Sequence, residues 1–264
     1  MNKIKIFQVD AFCNELFSGN AAAVCPLNDW LPDEIMQSIA TENNLSETAF
    51  FIKKNDNIQI RWFTPKAEID LCGHATLAAA HIVYSEMGFS GKQLKFITKS
   101  EEILKVTRNG NIINMNFPSY SPKVVDDNLD NLSRILKKYP TSLLHCKYAT
   151  AIYENEKEII EINPDFLALE KLPYKGLIVT APGETVDFVS HFFAPKLGIQ
   201  EDPVTGSAYC ELIPYWAKRL KKNNMISKQL SRREGKLYCS YLGDRVIIGG
   251  QAVTYMRGNL LLNI

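Results

Sequence analysis

The sequence of 264 residues lacks the signatures of several large functional classes. No apolar run approaches the roughly 20 residues that a helix needs to cross a bilayer, so no membrane partner is expected. The Walker A loop, the G-x-G-x-x-G fingerprint and the G-x-S-x-G elbow are absent, which argues against nucleotide hydrolysis, Rossmann-type cofactor binding and α/β-hydrolase chemistry. A formal net charge of +1 gives no reason to expect a nucleic-acid partner.

Signals for metal sites and disulfides are also scarce. The chain has six cysteines but no C-x-x-C and no H-E-x-x-H segment, so we expect no metal. It is large, it is not rich in cysteine, and it begins with a strand-like pattern rather than a signal peptide. We therefore expect free thiols and a cytoplasmic location.

The hydrophobic pattern predicts a mixed α/β protein. Alternating residues or hairpin turns predict strands over 3–9, 47–63, 103–117, 146–161, 177–181, 186–193, 236–242, 245–249 and 252–256. Helices are predicted to open at Leu31–Pro32 and Pro164–Asp165 and to cover 74–86 and 207–221. The helix over 74–86 is apolar almost all round, which indicates a buried helix.

The chain also shows a candidate internal repeat. The segments Phe63–Lys66 and Phe193–Lys196 each lead through an acidic loop to a glycine that opens a helix. The two glycines, Gly73 and Gly206, lie 133 residues apart, close to half the chain length. A linker rich in proline and serine follows Asn116.

This arrangement predicts a duplicated fold of two domains. We place the halves at residues 1–118 and 119–264, and we allow the last strand to return to the first half.

The two glycine-entered helices are candidate anion sites. A helix N-terminus offers free N–H groups and a partial positive charge, and glycine lets a ligand approach closely. The alternative is that both are tight turns capped by side chains. His74 lies just inside the first junction, where the helix start favours a neutral imidazole able to donate or accept a proton.

Two carboxylates complete the list of candidates. Asp202 opens the second junction, where the structural alternative is N-capping by Asp202 or by Ser207, and the functional one is to orient a base or hold a substrate amine. Glu47 begins an apolar strand, where desolvation would suit it to general acid or base work, although glutamates at strand ends are also common on surfaces.

Several motifs in one order closely resemble the phenazine-biosynthesis PhzF-like isomerase family, from about residue 8 to 258. They are Val9–Phe12, Gly19–Val24, Leu45–Phe50, Arg61–Pro65, Cys72–Thr76, Glu201–Ala208 and Gly249–Val253.

The resemblance implies a diaminopimelate-epimerase-like fold. In it, two similar α/β domains each wrap a curled sheet around a central helix, with the active site between them. It further implies a cofactor-independent isomerase, often a homodimer, that moves a proton on a small, carboxylated metabolite. Glu47 would be the shuttling acid and base, with His74 and Asp202 as further catalytic groups.

The resemblance assigns the remaining site residues to substrate binding. Ser207 would bind and polarise the substrate together with His74 and Asp202, and Gly73 and Gly206 would supply helix-end amides. Cys72 and Thr205 stand where related racemases carry their two catalytic cysteines.

Two alternatives remain open at this point. One is a racemase or epimerase that depends on Cys72, but threonine is far too weak an acid to serve as the second thiol. The other is a metabolite-binding protein without catalysis. It is suggested by His191, which stands where the resemblance leads us to expect the arginine of a carboxylate contact.

Overall fold

The computed structural model describes residues 2–54, 57–125 and 129–262, and it shows a mixed α/β protein. Within these residues there are six α-helices: α1 (Asp33–Asn43), α2 (Gly73–Ser85), α3 (Leu129–Leu136), α4 (Glu156–Ile160), α5 (Phe166–Glu170) and α6 (Gly206–Leu220). The strands are β1 (Asn2–Ala11), β2 (Asn20–Leu27), β3 (Glu47–Lys54), β4 (Asn57–Phe63), β5 (Glu68–Ile69), β6 (Gln93–Ile97), β7 (Ile103–Asn109), β8 (Ile112–Pro118), β9 (Lys123–Val124), β10 (Ser142–His145), β11 (Ala149–Ile152), β12 (Leu177–Pro182), β13 (Phe188–Ala194), β14 (Ile199–Glu201), β15 (Asn224–Gln229), β16 (Gly235–Tyr241), β17 (Arg245–Gly250) and β18 (Ala252–Leu262).

The chain divides into two compact units. Unit 1 holds the chain up to Asn116 together with the chain from Gly249 onward, and unit 2 holds Phe117–Ile248. This division differs from the sequence-based halves, 1–118 and 119–264, in the segment from Gly249 onward, which includes the strand that we allowed to return to the first half. The last strand, β18, pairs with β1 along almost its whole length, so the backbone groups of β1 are satisfied by a segment from the far end of the chain.

Unit 1 buries one helix against its sheet. Strands β2 and β3 are parallel, β3 and β4 antiparallel, β4 and β6 parallel, and β6 and β7 antiparallel. Helix α2 lies in the connection between β4 and β6 and packs on β1, β2 and β3. Nine of its 13 residues are buried, which explains why its sequence is apolar on every side.

Unit 2 has the same order of pairings. Strands β11 and β12 are parallel, β12 and β13 antiparallel, β13 and β15 parallel, and β15 and β16 antiparallel. Helix α6 occupies the connection between β13 and β15, as α2 does in unit 1, and ten of its 15 residues are buried.

A second layer in unit 2 covers the other face of its strands. Leu132, Leu136, Ile159 and Leu169 from the short helices α3, α4 and α5 pack against Val179, Val189 and Phe193 of strands β12 and β13. The strands are thus covered on both faces, which explains why every residue of β13 is buried.

The predicted strand pair over 146–161 is wrong at its C-terminal end. Residues from Glu156 to Ile160 form helix α4, because Asn155 begins it with a capping box in which Glu158 reaches back to the N-cap. Helix α3 was not predicted, because the proline- and serine-rich segment before it resembles a linker. Parts of that linker (126–128) and of the predicted turn at 55–57 lie outside the described residues.

The other predicted helices are confirmed. Helix α2 and helix α6 each begin one residue earlier than predicted, and α1 and α5 follow Pro32 and Asp165. Within the part of the chain that the structure describes, no helix combines the length and apolar character required to cross a membrane.

Two glycines near the C-terminus differ in the space around them. A Cβ atom at Gly250 would lie 2.4 Å from Cδ1 of Phe12 and 3.0 Å from Cδ1 of Leu77, whereas one at Gly258 would lie 3.6 Å from Ile6. Phe12 is fully buried, so its ring has little room to move. We expect Gly250→Ala to lower the free energy of unfolding by about 1–3 kcal/mol through overpacking.

Gly258→Ala is the matched control, and we expect it to change the free energy of unfolding by less than about 0.5 kcal/mol. Denaturant unfolding of both variants measures the difference. Equal stabilities for the two variants would contradict the packing described around Gly250.

Candidate active site

In unit 1, three polar side chains meet at the N-terminal ends of two parallel strands. Asn20 begins β2 and Glu47 begins β3, and the register places Ala22 opposite Glu47. Parallel strands start at the same edge of a sheet, so Asn20 and Glu47 share that edge. Helix α2 begins at the same place and adds His74 from its first turn.

The closest contact in this group joins Glu47 to His74. Oε2 of Glu47 lies 3.0 Å from Nε2 of His74, with side-chain exposures of 15 % and 5 %. The distance is that of an ion pair, but the angles are not those of a hydrogen bond. Loose alignment of this kind is common in catalytic sites without substrate.

The other ring nitrogen of His74 has two neighbours. Nδ1 lies 3.3 Å from Nδ2 of Asn20 and 3.5 Å from Sγ of Cys72. A neutral ring protonated on Nε2 accepts a hydrogen bond from the Asn20 amide, and a charged ring donates one to the Cys72 sulfur. The surroundings therefore provide a partner for the ring in either charge state.

Electrostatics favour the charged form of His74. Burial of the ring disfavours its charge, but its interactions with the Cys72 sulfur and with the Glu47 carboxylate outweigh burial and raise the pKa of His74 well above its usual value. This differs from the sequence-based expectation of a neutral imidazole. That expectation weighed the helix terminus alone and did not include a carboxylate at 3.0 Å.

Cys72 is a thiol at neutral pH. Burial, followed by the nearby Glu47 carboxylate, raises its pKa to about 11. The effect on His74 near pH 7 therefore comes from the carboxylate rather than from a thiolate. A cysteine in this state is a weak base, which weakens the case for a thiol-dependent racemase.

Glu47, Cys72 and His74 are also a candidate metal-binding group. One ligand atom from each lies within 4.8 Å of the other two. However, Glu47 contacts Nε2 of the ring and Cys72 contacts Nδ1, so the nearest donors of the two residues face opposite ring nitrogens. The expected absence of a metal stays a prediction.

The N-cap residues of α2 and α6 are Cys72 and Thr205. The side chain of neither accepts a hydrogen bond from the first turn of its helix. The N-cap residue of α6 is thus Thr205 rather than Asp202 or Ser207, and a capping role for the Asp202 side chain stays a prediction. Uncapped amides behind Gly73 and Gly206 are the feature that an anion-binding cradle requires.

In unit 2, Asp202 is held by the loop that leads into α6. Oγ1 of Thr205 donates a hydrogen bond of 2.6 Å to Oδ2 of Asp202. Gln229, at the end of β15, accepts a hydrogen bond from the backbone N–H of Thr205 and donates to the backbone carbonyl of Asp202. Thr205 thus contacts a carboxylate rather than acting as the counterpart of a catalytic cysteine.

Ser207 belongs to a second polar group of unit 2. Its Oγ lies 3.0 Å from the hydroxyl of Tyr148, and one turn further along α6 the buried Glu211 accepts hydrogen bonds from the backbone N–H groups of Lys147 and Tyr148. Burial raises the pKa of Glu211 to about 7 despite these two bonds. Because Glu211 accepts both of these backbone hydrogen bonds, it holds the segment that carries Tyr148 in place.

His191 does not point toward α6. Its neighbours in β13, Ser190 and Phe192, lie against Tyr209 and Tyr148, whereas the ring of His191 stacks on Phe193, which belongs to the outer layer. Side chains alternate between the two faces of a strand, so His191 lies on the face away from α6. Its Nδ1 pairs with Glu201 at 2.6 Å.

The structure thus gathers the predicted residues into two groups. Glu47, Cys72, Gly73 and His74 belong to unit 1, and Asp202, Thr205, Gly206 and Ser207 belong to unit 2. Sequence reasoning missed four partners of these residues: Asn20, Tyr148, Glu211 and Gln229. Asn20 lay within a quoted family motif, but the other three carried no signal, because they act through contacts distant in sequence.

An open groove lies elsewhere in unit 1, beside Trp30, Arg61 and Lys99. Its cations are neutralised: Arg61 binds Glu68 at 2.7 Å and Asp33 at 2.8 Å, and Lys99 binds Glu68 at 2.8 Å. The groove includes none of the candidate residues, so we do not assign the site to it.

Comparisons with known proteins agree across the whole chain. The family model described as phenazine biosynthesis-like protein matches residues 9–258. An uncharacterized isomerase of Pseudomonas aeruginosa is 46 % identical, with 99 % of this chain and 100 % of the relative covered. A human phenazine biosynthesis-like domain-containing protein is 37 % identical, with 98 % and 99 % covered.

Solved structures give the same result. A PhzF-family protein of Enterococcus faecalis has a TM-score of 0.96 at 42 % identity, with 99 % of this chain and 100 % of that chain covered. A hydroxyproline epimerase of Agrobacterium vitis has a TM-score of 0.65 at 8 % identity, with 99 % and 93 % covered. At that identity the second likeness shows the fold alone.

The state of Cys72 can be tested by alkylation. Because Cys72 is buried and its pKa is about 11, we expect it to react with iodoacetamide at pH 7.5 far more slowly than the exposed Cys146. Peptide mapping by mass spectrometry over a time course measures both rates. If Cys72 were modified as fast as Cys146 in the folded protein, it would have to be a reactive thiolate, and the racemase alternative would return.

Proposed function

Because this chain belongs to the phenazine biosynthesis-like family and its full-length relatives are named isomerases, we propose that it moves a proton within a small metabolite by general acid–base catalysis at Glu47. The observation that carries this proposal is the half-buried carboxylate of Glu47 at 3.0 Å from the buried ring of His74.

Glu47 is suited to both halves of a proton transfer. Its carboxylate accepts a proton from an acidic C–H bond, and the electron pair passes into the adjacent unsaturated system of the substrate. The carboxylic acid so formed returns the proton to a different carbon, so the product is an isomer and nothing is consumed. The same side chain serves as base and acid, and this chemistry requires no cofactor.

His74 supports the proton transfer through Nε2, the ring nitrogen that faces Glu47. As an imidazolium it stabilises the Glu47 carboxylate and offers a donor to negative charge that develops on the substrate. In this charged form Nδ1 donates to the sulfur of Cys72, which leaves Nε2 directed at Glu47. The contact with Cys72 therefore limits the rotation of the ring.

Asp202 and Ser207 are proposed as substrate-binding residues, and the uncapped amides at Gly73 and Gly206 as donors to a carboxylate or an enolate. The family motifs support these assignments, as do the missing caps of α2 and α6. His191 has no part in the proposal, since it faces the outer layer of unit 2. Its difference from arginine is thus no argument against an acidic substrate.

We also infer that the two units are copies of a diaminopimelate-epimerase-like domain, each built on one buried helix. The identical order of strand pairings and the likeness to the epimerase structure support this. A homodimer and a small carboxylated substrate stay predictions.

The isomerase proposal is tested by deuterium incorporation. We expect the wild-type protein, incubated in D₂O with trans-2,3-dihydro-3-hydroxyanthranilate or another substrate from a metabolite screen, to yield product labelled at carbon, as observed by NMR. Glu47→Gln should lower the rate at least 100-fold, because the amide cannot accept the proton.

Glu42→Gln, the same change at an exposed position of α1, is the matched control and should leave the rate within a factor of about two. Wild-type rates for a folded Glu47→Gln variant would exclude Glu47 as the proton carrier. Tight binding of a metabolite with no exchange at any carbon would instead favour a binding protein.

A further inference from the structure

One side chain, that of Gln229, holds the loop between Asp202 and α6 by hydrogen bonds. Gln229 is fully buried and uses both ends of its amide on this loop. Its Oε1 accepts the N–H of Thr205 at 2.9 Å, and its Nε2 donates to the backbone carbonyl of Asp202 at 2.7 Å. An N–H group must face oxygen and a carbonyl must face the NH₂ group, so the orientation of the amide is determined.

The same amide sets the direction of the Thr205 hydroxyl. Nε2 of Gln229 also donates to Oγ1 of Thr205 at 3.3 Å, which occupies a lone pair of that oxygen. The hydroxyl proton is then directed to Oδ2 of Asp202, 2.6 Å away. A hydrogen bond this short to a carboxylate is of the strong, charge-assisted kind.

Holding the loop in place does not require the contacts that run from Gln229 through Thr205 to the side chain of Asp202. Ser231 already holds the loop, because its hydroxyl donates to the backbone carbonyl of Pro203 at 2.8 Å. Gln229 differs from Ser231 in that it also donates to the hydroxyl of Thr205, and that hydroxyl donates to the side chain of Asp202, the residue whose carboxylate the proposed function uses.

We propose that Thr205 and Gln229 are positioning residues that hold the carboxylate of Asp202 in one orientation as a hydrogen-bond acceptor. The inference rests on the proposed function for its purpose, but not for its geometry. It also explains why a hydroxyl occupies a position where a thiol would be a poorer donor.

The test is a carbon-13 NMR titration of the Asp202 carboxyl, assigned by comparison with Asp202→Asn. We expect Thr205→Val and Gln229→Met each to raise the pKa of Asp202 by about one pH unit, because a hydrogen bond to the charged form is lost. Thr205→Ser keeps the hydroxyl and should restore the wild-type pKa to within a few tenths of a unit.

Ser231→Ala is the matched control, because it loosens the same loop without touching the chain of contacts to Asp202. It should leave the Asp202 pKa unchanged. An unchanged pKa in Thr205→Val, or an equal shift in Ser231→Ala, would overturn the proposal. If Gln229→Met does not fold, Gln229→Leu and the comparison of Thr205→Val with Thr205→Ser still test the proposal.

The titration needs no substrate, so it separates this inference from the proposed function. Once a substrate is available, the fold-decrease of kcat in Gln229→Met should be at least ten times larger than the fold-change of KM. If Asp202→Asn left turnover unchanged while the titration shifts were found, the proposed role of Asp202 would fail and the positioning would stand.

Discussion

The contact between Glu47 and His74 is the interaction on which the rest of the site depends. Two groups that are costly to bury as charges lie 3.0 Å apart at one edge of unit 1, and each makes the charge of the other less unfavourable. The folded-state pKa of His74 is raised, so the stability that this pair contributes is fully present below the usual pKa of histidine, about 6.5. It is lost as the pH rises through the raised value.

The fold explains how such a pair can be assembled. The parallel strands β2 and β3 begin at one edge of the sheet, and the buried helix α2 begins there as well, so residues distant in sequence converge without a long loop. Unit 2 repeats the pairings around α6, and there Gln229 at the end of β15 meets Asp202 and Thr205 in the loop before the helix. In both units, the side chain of the N-cap residue makes no capping bond, and a buried amide, of Asn20 or of Gln229, lies against the residues at the helix start.

Much of this arrangement could be predicted from residue patterns. The apolar helix over 74–86, the second helix after Gly206 and the half-chain repeat each followed from periodicity and glycine spacing. Glu47 and His74 emerged as candidates before their contact was known. The capped helix α4, the raised pKa of His74 and the role of Gln229 could not be predicted, because each depends on a three-dimensional neighbour. The outward direction of His191 depends likewise on which face of β13 meets α6.

The most direct test of the account is a nitrogen-15 NMR titration of the His74 ring in the wild-type protein and in Glu47→Gln. We expect wild-type His74 to stay protonated on both nitrogens well above pH 6.5. In Glu47→Gln, where burial is no longer opposed by a carboxylate, the same ring should lose its proton below pH 6.5. A neutral His74 at pH 6.5 in the wild-type protein, or the same His74 pKa in both proteins, would contradict the pairing of the Glu47 carboxylate with a charged His74 ring.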